Sequence, residues 1–205
     1  PDHSEGFRVV EQMILDFRTW RNYPGHTICL LLPEPLDKEI HKLQSVYGPF
    51  IDFYEQQGFV RCLTFRRHIK IKDINITAVQ LEHEEQIVFI YVFEQGKRKV
   101  LYAPCDVKPF PEKQKEVQNA DLMIIQPGIF ETDLPFQFTY PPDHFSRKAL
   151  YTFEETLELS KRIKAKSPLL THLEEYWGRS YDDYCKLEKE YEQISFAYDG
   201  MELRL

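Results

Sequence analysis

The stretch VLYAPCD at residues 100–106 is a short apolar strand pattern that ends at the carboxylate of Asp106. A second apolar run, LLTH at residues 169–172, ends in the same way at His172. Ligand sites in α/β folds collect where strands end, because the sheet fixes the backbone while loops present the side chains. These two strand ends therefore predict a functional site.

Two further histidines follow the same rule. His83 comes after the strand pattern AVQL at residues 78–81, and His3 follows Asp2 directly ahead of a helical pattern. Imidazole and carboxylate groups are ligands that zinc, manganese and iron accept. A carboxylate can also bridge two metal ions, which suits Asp106, and a water between two such ions becomes a nucleophile near neutral pH. The predicted ligands are Asp2, His3, His83, Asp106 and His172. Three further histidines do not follow this strand-end pattern and are assigned no role. They are His26, His41 and His68.

The rest of the chain mixes helix and strand patterns, which predicts an α/β fold without an internal repeat. Apolar spacing of three and four residues predicts helices at 9–17, 36–54 (one or two, broken near Gly48 and Pro49), 153–164 and 180–191. Runs of β-branched and aromatic residues predict strands at 27–32, 60–65, 74–81, 87–93, 100–102, 121–125, 168–170, 194–198 and 201–205. Thr152 is the expected cap of the third helix. Residues 126–150 show little periodicity, and loops that long are usually functional.

The composition limits the classes of partner. The chain has 205 residues and a net charge of −7, with only short clusters of lysine and arginine. Long nucleic acids are bound by clustered basic side chains, so we expect a small phosphate-bearing substrate instead. No apolar run reaches the roughly 18 residues of a membrane-spanning helix, so no membrane is expected. The four cysteines form no CxxC pair, which favours free thiols in a reducing cytoplasm.

Several segments, in order along the chain, resemble the metallo-β-lactamase superfamily. PDHSEG at residues 1–6 resembles the end of its H-x-H-x-D-H signature. The segments around His83 and His172 resemble its later histidine motifs, and the segment ending at Asp106 resembles the strand that carries its bridging aspartate. FAYDGME at residues 196–202 resembles the closing hairpin of the branch that contains cyclic-phosphate phosphodiesterases.

The resemblance implies a fold and a metal content. The fold is an αββα sandwich, with two mixed sheets packed face to face and helices outside, in one domain over residues 1–205. Two divalent ions are implied, with zinc or manganese first and iron as a further option. His83 would bind the first ion and Asp106 would bridge the pair. The second ion would be bound by Asp2, His3 and His172.

The first ion lacks two of its expected ligands. In the superfamily they come from the H-x-H half of the signature, which would precede Pro1 and is absent from this sequence. The expected explanation is that the chain is the C-terminal portion of a longer domain. The alternative is a reduced family member with a degenerate first metal site.

The resemblance also implies an activity. The chain would be a metal-dependent hydrolase, and its branch implies a phosphodiesterase that cleaves a small cyclic or nucleotide phosphodiester through a metal-bridging hydroxide. Transfer-RNA 3′-processing endonucleases of the superfamily have a glutamate and a histidine where this chain has Pro127 and Tyr151, which argues against that activity. The alternative is a non-catalytic or accessory binding protein that keeps the fold.

Four side chains are expected to take part in the chemistry. Asp2 and Asp106 are the carboxylates at the metals. Tyr151 or His144 could supply a proton to the leaving group, although packing is the simpler role for both. Members of the superfamily often form homodimers, and residues 130–145 are the expected contact.

Overall fold

The computed structural model describes residues 12, 14–46, 48–83, 87–132 and 140–205. Asp2 and His3 lie outside the described residues, as do residues 9–11 and 13 of the helix expected over 9–17. Contacts divide the chain into two compact units, Pro1–Arg67 and His68–Leu205. The single domain expected over residues 1–205 therefore stays a prediction. None of the helices in the described part is long and apolar enough to cross a membrane.

The first unit contains a two-stranded parallel sheet. β1 (Ile28–Pro33) pairs with β4 (Val60–Phe65), and a π-helical turn, Asp16–Trp20, precedes β1. The region predicted as one or two helices forms two, because a small hairpin at a glycine and a proline interrupts it. Its elements are α1 (Glu34–Ile40), β2 (Gln44–Ser45), β3 (Gly48–Pro49) and α2 (Phe50–Gln56).

The second unit contains a seven-stranded sheet in the order β11-β10-β9-β8-β7-β6-β5. The strands are β5 (His68–Ile71), β6 (Ile74–Gln80), β7 (Phe89–Gln95), β8 (Arg98–Ala103), β9 (Leu122–Ile125), β10 (Ser167–Leu170) and β11 (Ser195–Phe196). Strands β5 to β8 form an antiparallel meander, whereas β8 to β11 are parallel to one another. Parallel neighbours need long crossovers, and the helices of this unit lie in those connections.

The helices of the second unit begin where the sequence provides caps. They are α3 (Ser146–Ala149), α4 (Phe153–Arg162) and α5 (Tyr181–Glu190), with 3₁₀ turns at Lys115–Val117 and Glu175–Trp177. Thr152 caps α4 in a capping box with Glu155, as predicted, and Ser180 does the same for α5 with Asp183. Such caps satisfy backbone N–H groups that the first helical turn leaves without partners.

The core of this unit is built from the inward side chains of the sheet. One side chain on each of β7, β8, β9 and β10 is 0% exposed, as is Leu159 of α4. The strand residues are Ile90, Leu101, Met123 and Leu170. Close-packed apolar contacts of this kind hold the backbone of the strands in one position. The residues that follow the strands therefore leave from fixed points.

Two of the strand predictions from the sequence differ from the structure. β5 was not predicted, because its four residues directly follow a pair of arginines and three of them are exposed. The strand predicted over residues 201–205 is wrong, since the chain turns at Gly200 and these residues form no regular structure. Leu203 and Leu205 are nearly half exposed and lack a neighbouring strand that would complete their backbone hydrogen bonds. The expected closing hairpin is thus a single short strand, β11, followed by a turn.

Gly128 fixes the connection between β9 and α4. The neighbouring Ile129 donates its N–H to the carbonyl of Tyr151 at 2.8 Å and accepts from the N–H of Phe153 at 3.0 Å. Gly128 has φ +88°, and a Cβ there would lie 2.8 Å from the carbonyl oxygen of Thr152 and closer still to that of Tyr151. Only glycine fits at this crossing of two backbone segments.

Gly128→Ala is expected to lower the free energy of unfolding by about 3 kcal/mol, because strain in φ of roughly 1–2 kcal/mol adds to a backbone clash. The matched control is Gly200→Ala, where φ is +82° but nothing lies within 4 Å of the added Cβ. That variant should lose only the roughly 1–2 kcal/mol of the φ strain. Urea unfolding measures both values, and equal losses would contradict the clash.

Candidate metal centre

The direction of the strands brings three of the predicted ligands to one edge of the large sheet. β8 and β10 both run parallel to β9, and β6 runs the same way as β8 because both are antiparallel to β7. The segments that follow β6, β8 and β10 therefore start from the same edge. They carry His83, Asp106 and His172 respectively.

A hydrogen bond joins the first two of these residues. His83 Nε2 lies 2.9 Å from the carbonyl oxygen of Asp106. A carbonyl can only accept, so Nε2 carries the proton and the neutral ring has its lone pair on Nδ1. Histidines that bind metals usually donate their other ring N–H to a carbonyl or a carboxylate in this way. The contact fixes the orientation of the His83 ring and leaves Nδ1 without its proton.

The backbone is left-handed at two of the predicted ligands. Asp106 has φ +53° and His172 has φ +58°. Such values are uncommon outside glycine and raise the conformational energy, although aspartate and histidine adopt them more readily than most residues. Strained backbone of this kind clusters at functional sites. Here it turns the chain shortly after β8 and β10. Among the described residues, the side chains of His83, Asp106 and His172 do not form a group with all ligand atoms within 4.8 Å of one another.

His172 has an acidic neighbour that the sequence analysis did not single out. Its Nε2 lies 3.2 Å from Oε1 of Glu174, and about a quarter of each side chain is exposed. A carboxylate beside a ring nitrogen fixes the orientation of an imidazole. The only sequence signal was the His-x-Glu spacing after an apolar strand, which is too common to identify such a pair.

Two tyrosines near this pair were also missed. The hydroxyl oxygens of Tyr140 and Tyr176 lie 2.6 Å apart. Partial burial raises the pKa of Tyr176, and the hydrogen bond to Tyr140 and the charges of Glu174 and Cys105 raise it further. Tyr176 therefore stays protonated at neutral pH.

A buried amide lies at the same edge. Gln126 directly follows β9, is 4% exposed, and its Oε1 accepts no hydrogen bond from the part of the chain that the structure describes. A buried carbonyl oxygen without a donor costs about 1–3 kcal/mol, so such groups usually face a ligand or an ordered water. Gln126 is thus a further candidate residue of the site.

The two predicted proton donors lie in different surroundings. Tyr151 accepts a hydrogen bond from the Phe110 N–H at 2.9 Å, and Lys108 Nζ lies 5.0 Å from its ring centroid. Burial raises the pKa of Tyr151. His144 accepts from the Ser146 N–H through Nδ1 at 3.3 Å, and its ring centroid lies 4.4 Å from that of Tyr140. His144 therefore approaches the Tyr140–Tyr176 pair, whereas Tyr151 is held at the loop after Asp106.

Comparison with known proteins identifies the family. The family model described as "Beta-lactamase superfamily domain" matches residues 42–173, which is more than half of the chain. The chain belongs to this superfamily. No curated protein matches its sequence.

Solved structures show the same fold at low sequence identity. The metallo-β-lactamase fold protein YhfI from Bacillus subtilis matches with a TM-score of 0.61 at 15% identity, over 94% of this chain and 70% of that one. A diphosphatase from the PhnP family matches with a TM-score of 0.62 at 14% identity, over 97% of this chain and 64% of that one. Zn²⁺-bound PqqB from Methylobacterium extorquens matches with a TM-score of 0.61 at 14% identity, over 94% and 68%. The chain thus spans about two thirds of the length of these proteins, and the predicted α/β fold of the metallo-β-lactamase type is confirmed.

Tyr151→Phe separates a packing role from proton donation. If the hydroxyl only accepts from Phe110, the variant should lose about 1 kcal/mol of unfolding free energy and keep kcat within about twofold of the parent. A proton donor would instead lose roughly 100-fold or more in kcat. Hydrolysis of bis(p-nitrophenyl) phosphate and urea unfolding, measured on the same preparation, decide between the two.

Proposed function

We propose that this chain forms the catalytic part of a metal-dependent phosphodiesterase that acts on a small cyclic or nucleotide phosphodiester. The observation that carries the proposal is the direction of β6, β8 and β10, which start the segments carrying His83, Asp106 and His172 from one sheet edge, with left-handed backbone at the last two. Membership of the superfamily supports the same assignment. Asp2 and His3 complete the proposed ligand set as predictions from the sequence.

The donor set fits borderline divalent cations. Neutral imidazole and carboxylate suit zinc, manganese and iron, and the tautomer of His83 leaves Nδ1 available for coordination. Divalent ions bound there would polarise the phosphoryl oxygens and lower the pKa of a coordinated water. His83, Asp106 and His172 would hold the ions, with Asp106 supplying the carboxylate.

The residues around the ligands have roles of their own. The Asp106 carbonyl keeps the His83 ring in one tautomer, and Glu174 orients His172. Tyr176, whose pKa is raised, stays protonated beside Glu174 and shares a hydrogen bond with the Tyr140 hydroxyl. Gln126 has a buried amide that can bind a polar group of the substrate. Polar groups that are already oriented in this way stabilise charge in the transition state effectively, because they do not have to reorganise during the reaction.

A cavity next to the ligands suits a small organic substrate. It lies between α5 and β11, has a volume of about 390 Å³, and includes Leu173, the residue after His172. Tyr181, Tyr184 and Tyr198 line it. Cavities of a few hundred Å³ with aromatic walls accommodate a nucleobase or a sugar ring. The net charge of −7 disfavours a long polyanion in the same place.

Asp106→Asn and His172→Ala are expected to lose bound metal and to reduce phosphodiester hydrolysis at least 1,000-fold, roughly the size of a metal's contribution to such chemistry. Each variant should stay folded, because neither side chain belongs to the apolar core. The measurements are metal content by mass spectrometry, hydrolysis of bis(p-nitrophenyl) phosphate and of cyclic nucleotides, and circular dichroism.

Asp73→Ala is the matched control for these variants. Asp73 is exposed and lies in the turn before β6, at the opposite edge of the sheet from His83. It should keep the metal and activity of the parent. Hydrolysis at the parental rate by Asp106→Asn would refute the assignment of the site. A parent protein that binds metal but cleaves none of these substrates would instead support the accessory binding protein.

A further inference from the structure

The first unit contains a second group of metal-binding side chains. His41 directly follows α1, Glu55 lies on α2, and Cys62 lies on β4. One ligand atom from each lies within 4.8 Å of the other two. None of these residues belongs to the superfamily motifs found in the sequence, and their approach depends on how two short helices pack beside one strand.

The histidine ring is oriented by carboxylates on both sides. His41 Nδ1 lies 2.6 Å from Asp52 Oδ1, and His41 Nε2 lies 3.5 Å from Asp37 Oδ1. The hydrogen bond to Asp52 and the neighbouring charges raise the pKa of His41 in the metal-free protein, and a cation that displaces the Nε2 proton would leave Nδ1 donating to Asp52. A carboxylate that accepts from one ring nitrogen and so aims the other nitrogen is the usual support of a metal-bound histidine.

The charge around the ring is negative. Asp37, Asp52 and Glu55 surround a single imidazole, and no lysine or arginine of the described ranges forms an ion pair with any of them. Burial raises the pKa of the Cys62 thiol to about 12, and the charges of Glu55 and Asp37 add to the effect. A divalent cation would neutralise this group, because it favours the thiolate and offsets the repulsion among the carboxylates.

We propose that His41, Glu55 and Cys62 bind a divalent cation of the zinc class, in addition to the centre of the second unit. Thiolate together with imidazole selects zinc over magnesium or calcium. Asp37 lies beside the group but outside it: its Oδ1 is 3.5 Å from His41 Nε2, whereas the ligand atoms that lie within 4.8 Å of one another come from His41, Glu55 and Cys62.

Coordination requires only a small closure of the present geometry. Glu55 is exposed, and its Oε1 already accepts from the Cys62 N–H at 2.9 Å. The three ligand atoms lie within 4.8 Å of one another, so side-chain shifts of about 1 Å bring them to the roughly 3–4 Å spacing of tetrahedral ligands. The bound ion releases the Cys62 proton to solvent and joins α1, α2 and β4 at one point.

Cobalt(II) tests the site directly, because a cobalt–thiolate bond absorbs in the near ultraviolet and tetrahedral cobalt absorbs in the visible. Full-length protein is freed of metal with a chelator and titrated with Co²⁺. A thiolate band should grow to one equivalent and disappear in Cys62→Ser. It should remain in Asp106→Asn, so that the result does not depend on the centre of the second unit.

Cys29→Ser is the matched control. Cys29 is exposed on β1, one position from the residue that pairs with Cys62, and its substitution should leave the band unchanged. Loss of the band in Cys29→Ser, its persistence in Cys62→Ser, or its absence from the parent would each overturn the proposal.

Asp52→Asn provides a test that does not remove a ligand. It weakens the orientation of His41 and keeps the thiol, so Co²⁺ should still give the band, with an affinity about 10- to 100-fold lower. This variant also protects the test if Cys62→Ser fails to fold, which circular dichroism reports. An unchanged affinity in Asp52→Asn, with the protein folded, would show that His41 does not bind the ion.

Discussion

The direction in which strands β6, β8, β9 and β10 run is the constraint on which the proposed metal centre depends. Each strand delivers its next residues to the same edge, so segments that lie far apart in sequence start from the same side of the sheet. The apolar core then fixes those starting points, because fully buried residues such as Leu101 and Leu170 leave the strands no room to shift. Packing in the sheet therefore fixes the points from which the candidate residues leave the strands. The loops then determine only how the backbone turns at those residues.

The turn of the backbone after each strand raises the conformational energy of the folded state. Left-handed backbone at Asp106 and His172 opposes folding, and it persists only because hydrogen bonds around it hold the loops in place. The bond from His83 to the Asp106 carbonyl and the pair of His172 with Glu174 are of this kind. They join residues of the site to one another, so the strained conformations support the orientation of the side chains that carry the chemistry.

The sequence predicted most of the strands and the Thr152 cap of α4, because these follow from local sequence patterns. That the residues after the strand ends form a metal site stays a prediction. Supporting residues escaped it. Glu174 and Tyr176 are identified by contacts that exist only once the chain has turned at His172. His41 was given no role, since its neighbours Glu55 and Cys62 come from elements that the sequence does not place beside it. β5 was not predicted, and the strand predicted over 201–205 did not form. Short exposed segments become strands only when they pair with a neighbouring strand, and the local sequence does not specify that pairing.

The two halves of the large sheet differ in how far apart in sequence their partners lie. Antiparallel pairs such as β6 with β7 are joined by short connections, and the bond between His83 and Asp106 spans only 23 residues. His172 follows β10, whose parallel pairing with β9 must wait for a crossover that includes α4. Contacts that close short loops form faster than contacts that close long ones. A chain emerging during synthesis thus brings one side of the ligand set together early, and gains the capacity to hold a complete set only when its last third has been made.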